Sequence, residues 1–430
     1  MARDARQYAD TDMSTSFHSK AIGAPPHPGD SLRPPQIARA MLLAAALQFL
    51  QLRRADAEDR LDFKFMYYAE ENDRVATWSP SFVAETDLTS RLQLKIQGIY
   101  DVISGASPTG APAPSQVRPS AGMSLSTVSL VSGPSGRATG ATTGVTPRRP
   151  STDSTLPTQR FQDARLGLDA ELRLRSGDYL YSGQVAYSTE SDYNSITTTL
   201  KVARELNQKN TVLSAAMSYN HDDVDVIGTR SSEEKEGVQM LIGATQILDP
   251  KTVLNVNLVA GFSSGYLSDP YKSALVGNTL LSDKRPGRKD QQVVYTSLMR
   301  AIDSLNGSIE GAYRFYRDSF GVSGHTASLA WYQKVGRTLV LSPNVRYYQQ
   351  DSADFYAVQF PVRPEHYSAD YRLSNSASLA YGMKVIWTPR ERWSADIGYE
   401  RYGMWGRDGV TSSQAYPSAN IFSAGVQLRF

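Results

Sequence analysis

The chain has 430 residues, a formal net charge of +2, 31 Gly, 22 Pro and no Cys. Lack of Cys excludes disulfides, thiolate metal sites, iron–sulfur clusters and c-type haem attachment, and so small a charge gives no reason to expect nucleic acid as a partner. Mean hydropathy is below zero and the body of the chain carries no long apolar run, which excludes a helical membrane bundle but not an architecture in which apolar and polar side chains alternate.

The amino terminus reads as an export segment. Arg39 precedes an apolar stretch over residues 41–52, and Ala55-Asp56-Ala57 offers a small-x-small cleavage site, so Glu58 is the expected mature start. Arg53 and Arg54 lie irregularly between that stretch and the site, and residues 1–35 make a long polar n-region that a start codon assigned too far upstream would explain. The competing reading is a short buried helix. Residues 1–57 are thus assigned to a signal peptide with an extension, and 58–430 to the folded domain.

Beyond Arg60 the chain breaks into segments whose side chains alternate with period two, the pattern of strands with one apolar and one polar face. In order they begin near Leu61, Val75, Arg91, Arg160, Tyr179, Ser195, Thr211, Gly237, Thr252, Gln291, Gly307, His325, Leu339, Ser376, Trp393 and Asn420, sixteen in all. Tight links follow every second segment, at 176–178, 207–210, 249–251, 304–306, 336–337 and 389–391, while links at 105–158, 221–236, 267–290, 352–375 and 406–419 are long. Pro80 interrupts the second segment and leaves fourteen as the alternative count. Residues 105–158 are rich in Ser, Thr, Gly, Pro and Ala with little to bury, so they are expected to be mobile at the cell surface, with a folded plug as the alternative.

The last segment sets Phe422, Ala424, Val426, Leu428 and Phe430 against Ser423, Gly425, Gln427 and Arg429. It resembles the closing strand of a bacterial outer-membrane β-barrel, and Phe422, Val426, Leu428 and Phe430 are the expected assembly signal for the barrel-insertion machinery. The 24 Tyr outnumber the 13 Phe and 5 Trp together, as aromatic girdles at two membrane interfaces require. The expected fold is all-β: a transmembrane antiparallel up-and-down barrel of about sixteen strands, with long extracellular loops and short periplasmic turns, in the lipid bilayer of the bacterial outer membrane.

The polar faces give the candidate lumen-lining residues. Lys95, Arg165, Asp169, Glu171, Arg173 and Arg314 fall on them, as do Arg346, Lys384, Asp396, Glu400 and Arg429. Both signs are mixed, so weak ion selectivity is expected. No cofactor or metal is expected. The run Asn220-His221-Asp222-Asp223-Val224-Asp225 reads as a solvated charged loop, with a loosely held Ca²⁺ as the alternative. His325 beside Ser323, with Asp318 upstream, is the one constellation resembling a hydrolase triad, and its spacing reads more simply as a rim histidine. No enzymatic activity is expected.

Four motifs carry a family resemblance. Asp101-Val102-Ile103-Ser104-Gly105-Ala106-Ser107-Pro108, Ser188-Thr189-Glu190-Ser191-Asp192-Tyr193, Gly265-Tyr266-Leu267-Ser268-Asp269-Pro270-Tyr271-Lys272, and Tyr313-Arg314-Phe315-Tyr316-Arg317-Asp318 with Gly324-His325-Thr326 resemble an uncharacterised bacterial domain-of-unknown-function family of outer-membrane β-barrel proteins. The similarity spans roughly residues 59–430 and leaves out the segment before Glu58. Members of that family are often encoded beside a flavin-attaching transferase and thioredoxin-like proteins, so the resemblance hints at a periplasmic redox partner; it implies no activity. The residues themselves read as bends near strand ends, with Arg314 and Arg317 near Asp318, and Glu190 near Asp192, as a charge network bracing the mouth.

Three functions are open at this point: a weakly selective, porin-like passage for small polar solutes, a non-conducting scaffold for a periplasmic redox protein or surface lipoprotein, and a surface adhesin or receptor. The sequence leaves the oligomeric state open, with a homotrimer among the alternatives because porins of this size are often trimeric.

Overall fold

The computed structural model describes residues 59–110, 157–226 and 231–430. The expected signal peptide and most of the 105–158 loop therefore lie outside the described residues. Nineteen strands follow in chain order. The first nine are β1 (Arg60–Glu70), β2 (Val75–Asp87), β3 (Leu92–Pro108), β4 (Thr158–Ser176), β5 (Tyr179–Thr189), β6 (Tyr193–Leu206), β7 (Thr211–Asp225), β8 (Ser232–Asp249) and β9 (Thr252–Gly265). A short hairpin, β10 (Ser273–Val276) and β11 (Thr279–Ser282), precedes β12 (Arg288–Ile302), β13 (Gly307–Asp318), β14 (Ser323–Val335) and β15 (Leu339–Gln350). The chain ends with β16 (Gln359–Phe360), β17 (Ser376–Arg390), β18 (Trp393–Gly406) and β19 (Ser418–Arg429).

Sixteen of these strands form one closed barrel, each pairing antiparallel with its neighbours; β10, β11 and β16 form a separate three-stranded sheet. β1 closes the ring against β19, from Arg60 opposite Arg429 to Glu70 opposite Ala419. Asp59 and Phe430 exchange backbone hydrogen bonds of 3.1 and 3.0 Å just beyond that ladder. Closure gives every barrel strand a neighbour on both sides. Pro80 stays inside β2: it sits opposite Phe65 of β1, while the ladder to β3 skips from Trp78 to Ser81. A proline has no N–H to give that neighbour, so the second strand survives with a two-residue gap on one side, and the count is sixteen.

The alternation sorts the side chains onto two faces. Leu200, Ile242, Ile397, Met240 and Leu258 are exposed on the outer face, as are Phe422, Val426, Leu428 and Phe430 of the closing strand. Aromatic pairs mark both ends of this face. Tyr179 with Tyr181 and Trp387 with Trp393 lie near the tight turns, and Tyr67 with Trp78 and Tyr347 with Trp405 lie near the long links. On β17, Trp387 and Leu379, the latter opposite Tyr347, are eight residues apart. At ~3.4 Å per residue that is about 27 Å along the strand. A tilt of about 40° shortens it to about 20 Å, near the height of the apolar band in such barrels.

Two expectations change here. The acidic run 220–225 is the end of β7 and not a loop, so its alternate residues face opposite sides: Asp222 is buried between Lys235 and Ser195, at 2.9 and 2.6 Å. The long link at 221–236 shrinks accordingly, since β7 reaches Asp225 and β8 begins at Ser232.

Candidate functional site

The inner wall is built by the polar residues of each strand. Arg173 of β4 reaches Glu85 of β2 at 3.4 Å, passing over β3. Such a contact between non-adjacent strands forms on the concave side, where side chains converge. Most charges on this wall are paired. Arg165 donates to Asp101 at 2.8 Å, Arg173 also meets Glu171 at 2.7 Å, Lys384 meets Asp396 at 3.4 Å, and Asp169 accepts from Gln184. Lys95 stands opposite Glu171, and Arg429 donates to Gln427 at 3.1 Å. Glu400, Arg314 and Arg346 occupy the same face of their strands, each between neighbours that point outward, as Tyr399 does beside Glu400 and Val345 and Tyr347 beside Arg346.

Side chains on this wall are only partly buried. Arg165 and Lys384 keep 39% and 38% of their side-chain surface exposed, and the buried apolar clusters among the described residues are small, most of them at the outer end.

The outer end is crossed by the chain itself. The 266–287 link contributes β10 and β11, and the 351–375 link contributes β16, which pairs parallel with β10. Ala274, Val276, Tyr367 and Ala369 pack together beneath Leu281 and Phe360. From this small sheet Lys272 donates to Ser107 at 3.2 Å and to the Pro108 carbonyl at the end of β3, and Tyr271 donates to Asp192 in the β5–β6 link. Going round the ring from β9 through β8, β7, β6, β5 and β4 to β3 takes six steps out of sixteen. A contact between strands that far apart has to cross the mouth. Gly110, at φ +88°, lets the chain pass the cap closely, since a Cβ there would lie 2.8 Å from the Ser273 carbonyl and 3.0 Å from that of Ala369. On the far side Tyr371 packs edge-on against Tyr416, and Arg74 donates to the carbonyls of Gln414, Ala415 and Tyr416.

A six-residue charge cluster holds the two cap segments together. Asp269, Lys272, Asp283 and Arg285 come from the first, and Asp370 and Arg372 from the second. Arg285 meets Asp283 at 2.6 Å and Asp370 at 2.9 Å, while Arg372 donates from Nε to both Asp370 oxygens at 2.9 Å and pairs with Asp269. Three acids face three cations, so the buried charge balances. Burial works against the Asp370 charge, yet Arg372, Lys272 and Arg285 outweigh it and hold the carboxyl well below the ordinary carboxylate range. Burial prevails at Asp283 and pushes its carboxyl up despite Arg285.

The bracing network expected at the mouth has other members. Arg317 is exposed on the outer face, opposite in parity to Asp318. Asp318 is instead held by Lys289 at 3.1 Å, by the Tyr316 hydroxyl at 2.6 Å and by the backbone of Phe320 and Val322. His325 lies on the outer face, bonded through Nδ1 to the Tyr313 hydroxyl at 2.7 Å and beside the Phe315 ring. With Asp318 on the other face, the Ser323, His325 and Asp318 group does not assemble.

Comparison with known proteins adds a family. The one described as "Protein of unknown function (DUF3570)" matches residues 36–233 and 228–420. The match therefore takes in residues 36–58, which the resemblance read from the motifs left out. No curated protein matches. Among solved structures, the siderophore receptor PirA from Pseudomonas aeruginosa is 11% identical with a TM-score of 0.43, over 87% of this chain and 62% of that one. The chain thus spans about three fifths of that receptor's length. A bacterial polysaccharide outer membrane secretin is 7% identical, at 0.46, over 87% and 98%. OccK2 (OpdF) from Pseudomonas aeruginosa, solved with glucuronate, is 10% identical, at 0.42, over 87% and 98%.

Proposed function

The chain belongs to the DUF3570 family, whose function is unknown, and on that footing we propose from its own geometry that it is a bacterial outer-membrane channel passing small polar solutes with weak ion selectivity through an entrance narrowed by its cap. The observation that carries this reading is the inner wall. Within a ring of sixteen strands, wide enough for an aqueous passage unless filled, arginine, lysine and carboxylate side chains stay partly exposed beneath a small cap. Paired charges of both signs cancel much of the field that would favour one ion. The apolar outer belt supports placement in a bilayer, since so extended a patch does not persist against water.

A scaffold is the second reading, favoured by the cap across the mouth. In it the barrel carries no current and anchors a periplasmic redox protein or surface lipoprotein. The adhesin or receptor reading rests on the length of the 105–158 loop alone. We propose no reaction for the chain. Its proposed partners are the bilayer and the barrel-insertion machinery, with a homotrimer resting on size alone.

Planar-bilayer conductance of the refolded barrel separates the first two readings. The wild type is expected to pass a small current, and a variant lacking residues 273–282, the cap hairpin, a current several-fold larger. Folding of the variant is checked by circular dichroism, and Asp370→Asn serves as a milder loosening of the cap. Silence from all three folded proteins would leave the scaffold.

A further inference from the structure

On the inner wall just below the cap, the geometry points to a binding site for a small oxyanion, carboxylate or phosphate, made by Arg314 and Arg346 with Thr326 between them and Tyr316 and Tyr348 at their flanks. It rests on the water-filled lumen of the reading above, but not on conduction through it.

The strand register assembles the site. Arg314 of β13 stands opposite Thr326 of β14, Thr326 opposite Tyr348 of β15, and Arg346 lies two residues further along β15, opposite Ser328. The two arginines thus flank β14, on the concave side where long side chains converge. Elsewhere on this wall Arg60, Arg165, Arg173, Lys235 and Lys384 each have a carboxylate partner. Arg314 and Arg346 make no ion pair or hydrogen bond among the described residues. The Arg314 guanidinium lies over the Tyr316 ring, 5.3 Å from its carbon to the centroid.

The neighbouring carboxylates form no ion pair with either arginine. Glu310 and Asp318 flank Arg314 four residues away on the same face of β13: Glu310 accepts from the Tyr332 hydroxyl at 3.1 Å, and Asp318 is committed to Lys289 at 3.1 Å and to two backbone N–H groups. The Tyr316 and Tyr348 hydroxyls donate to Asp318 and Gln350 at 2.6 and 2.7 Å, so their rings are fixed in place. Thr326 gives an independent sign: it is only 6% exposed, yet its Oγ1 has no hydrogen-bond partner. A buried hydroxyl without a partner costs free energy, as do two like charges side by side. One ligand oxyanion relieves both, because a guanidinium fork takes carboxylate or phosphate oxygens two at a time. The Tyr316 face pre-orients one fork through cation–π attraction. Arg346 is exposed to the lumen, so a solute has access.

Titration calorimetry on the detergent-purified full chain tests the site, with citrate and inorganic phosphate as separate probes. Wild type is expected to bind at least one of them saturably, and the double variant Arg314→Gln with Arg346→Gln at least tenfold more weakly. Arg317→Gln, on the same strand but the outer face, is expected to bind as wild type does. Binding of citrate alone assigns a carboxylate site, of phosphate alone a phosphate site, and of both a general oxyanion site. The double variant breaks no ion pair and is expected to fold, which circular dichroism checks. No saturable binding by folded wild type, or equal binding by the double variant, overturns the proposal. A barrel that binds but carries no current refutes the channel and leaves this site standing; current without binding does the reverse.

Discussion

At the scale of single residues, whether a charge has a partner decides what its removal does. Asp370, 1% exposed, receives Arg285 and Arg372 from two directions. Taking away one member of a buried pair strands the others, at about 3–5 kcal/mol, although the intact cluster adds little over a well-packed apolar one. Asp370→Asn is therefore expected to loosen the cap locally, with backbone amides of Tyr367 and Ser368, bonded to Lys284 and Phe355, losing hydrogen-exchange protection while β17 keeps its own. Unchanged protection would mean that the apolar packing of Ala274, Val276 and Tyr367 holds the cap alone. The same logic makes Arg165 and Arg173 poor probes of selectivity. Each is bonded to a carboxylate, so reversing its charge disturbs the wall as well as the field. None of this cluster was legible in the sequence, because Asp269 and Arg372 are 103 residues apart and Arg285 and Asp370 are 85. The motif 265–272 looks locally like a bend at the end of a strand, and nothing in its spacing says which distant segment it meets.

Elements were far more legible, because period-two alternation is local and each barrel strand has one apolar face outward and one largely polar face inward. All sixteen strands are present, including the one that Pro80 made doubtful. The three strands of the cap escaped notice: β10, β11 and β16 have four, four and two residues, too few to show a period. The closing strand has a further role in assembly. Phe422, Val426 and Leu428 share the outer face of β19, Phe430 follows it directly, and the Phe430 backbone is bonded at both N and O to Asp59. Deleting Phe430 removes the terminal aromatic and both bonds at the seam where the barrel shuts. Folded protein in the outer membrane is then expected to fall several-fold, with unfolded chain degraded in the periplasm, as measured by heat-modifiable migration on gels. Equal amounts of full-length and shortened barrel would show that closure does not depend on this end.

For the molecule as a whole, parity ties the two ends of the barrel to two compartments. Sixteen strands put both ends of the ring, Arg60 and Arg429, at the rim of the tight turns. The cap, the long links and residues such as Val362, exposed at 78%, lie at the other rim. If the tight-turn rim faces the periplasm, as in barrels of this kind, the cap faces the outside and the arginine pair is reached by solutes that pass it. Endoproteinase Glu-C added to intact cells is then expected to cut after Glu365, an exposed residue in the cap's second segment, while an epitope inserted at Pro250, in the β8–β9 turn, stays protected until the outer membrane is opened. The inverse pattern, a protected Glu365 and an accessible tag at Pro250, would put the cap on the periplasmic side. The apparatus that narrows the lumen would then act on solutes leaving the barrel, and the proposed oxyanion site would load from the outside without the cap in its way.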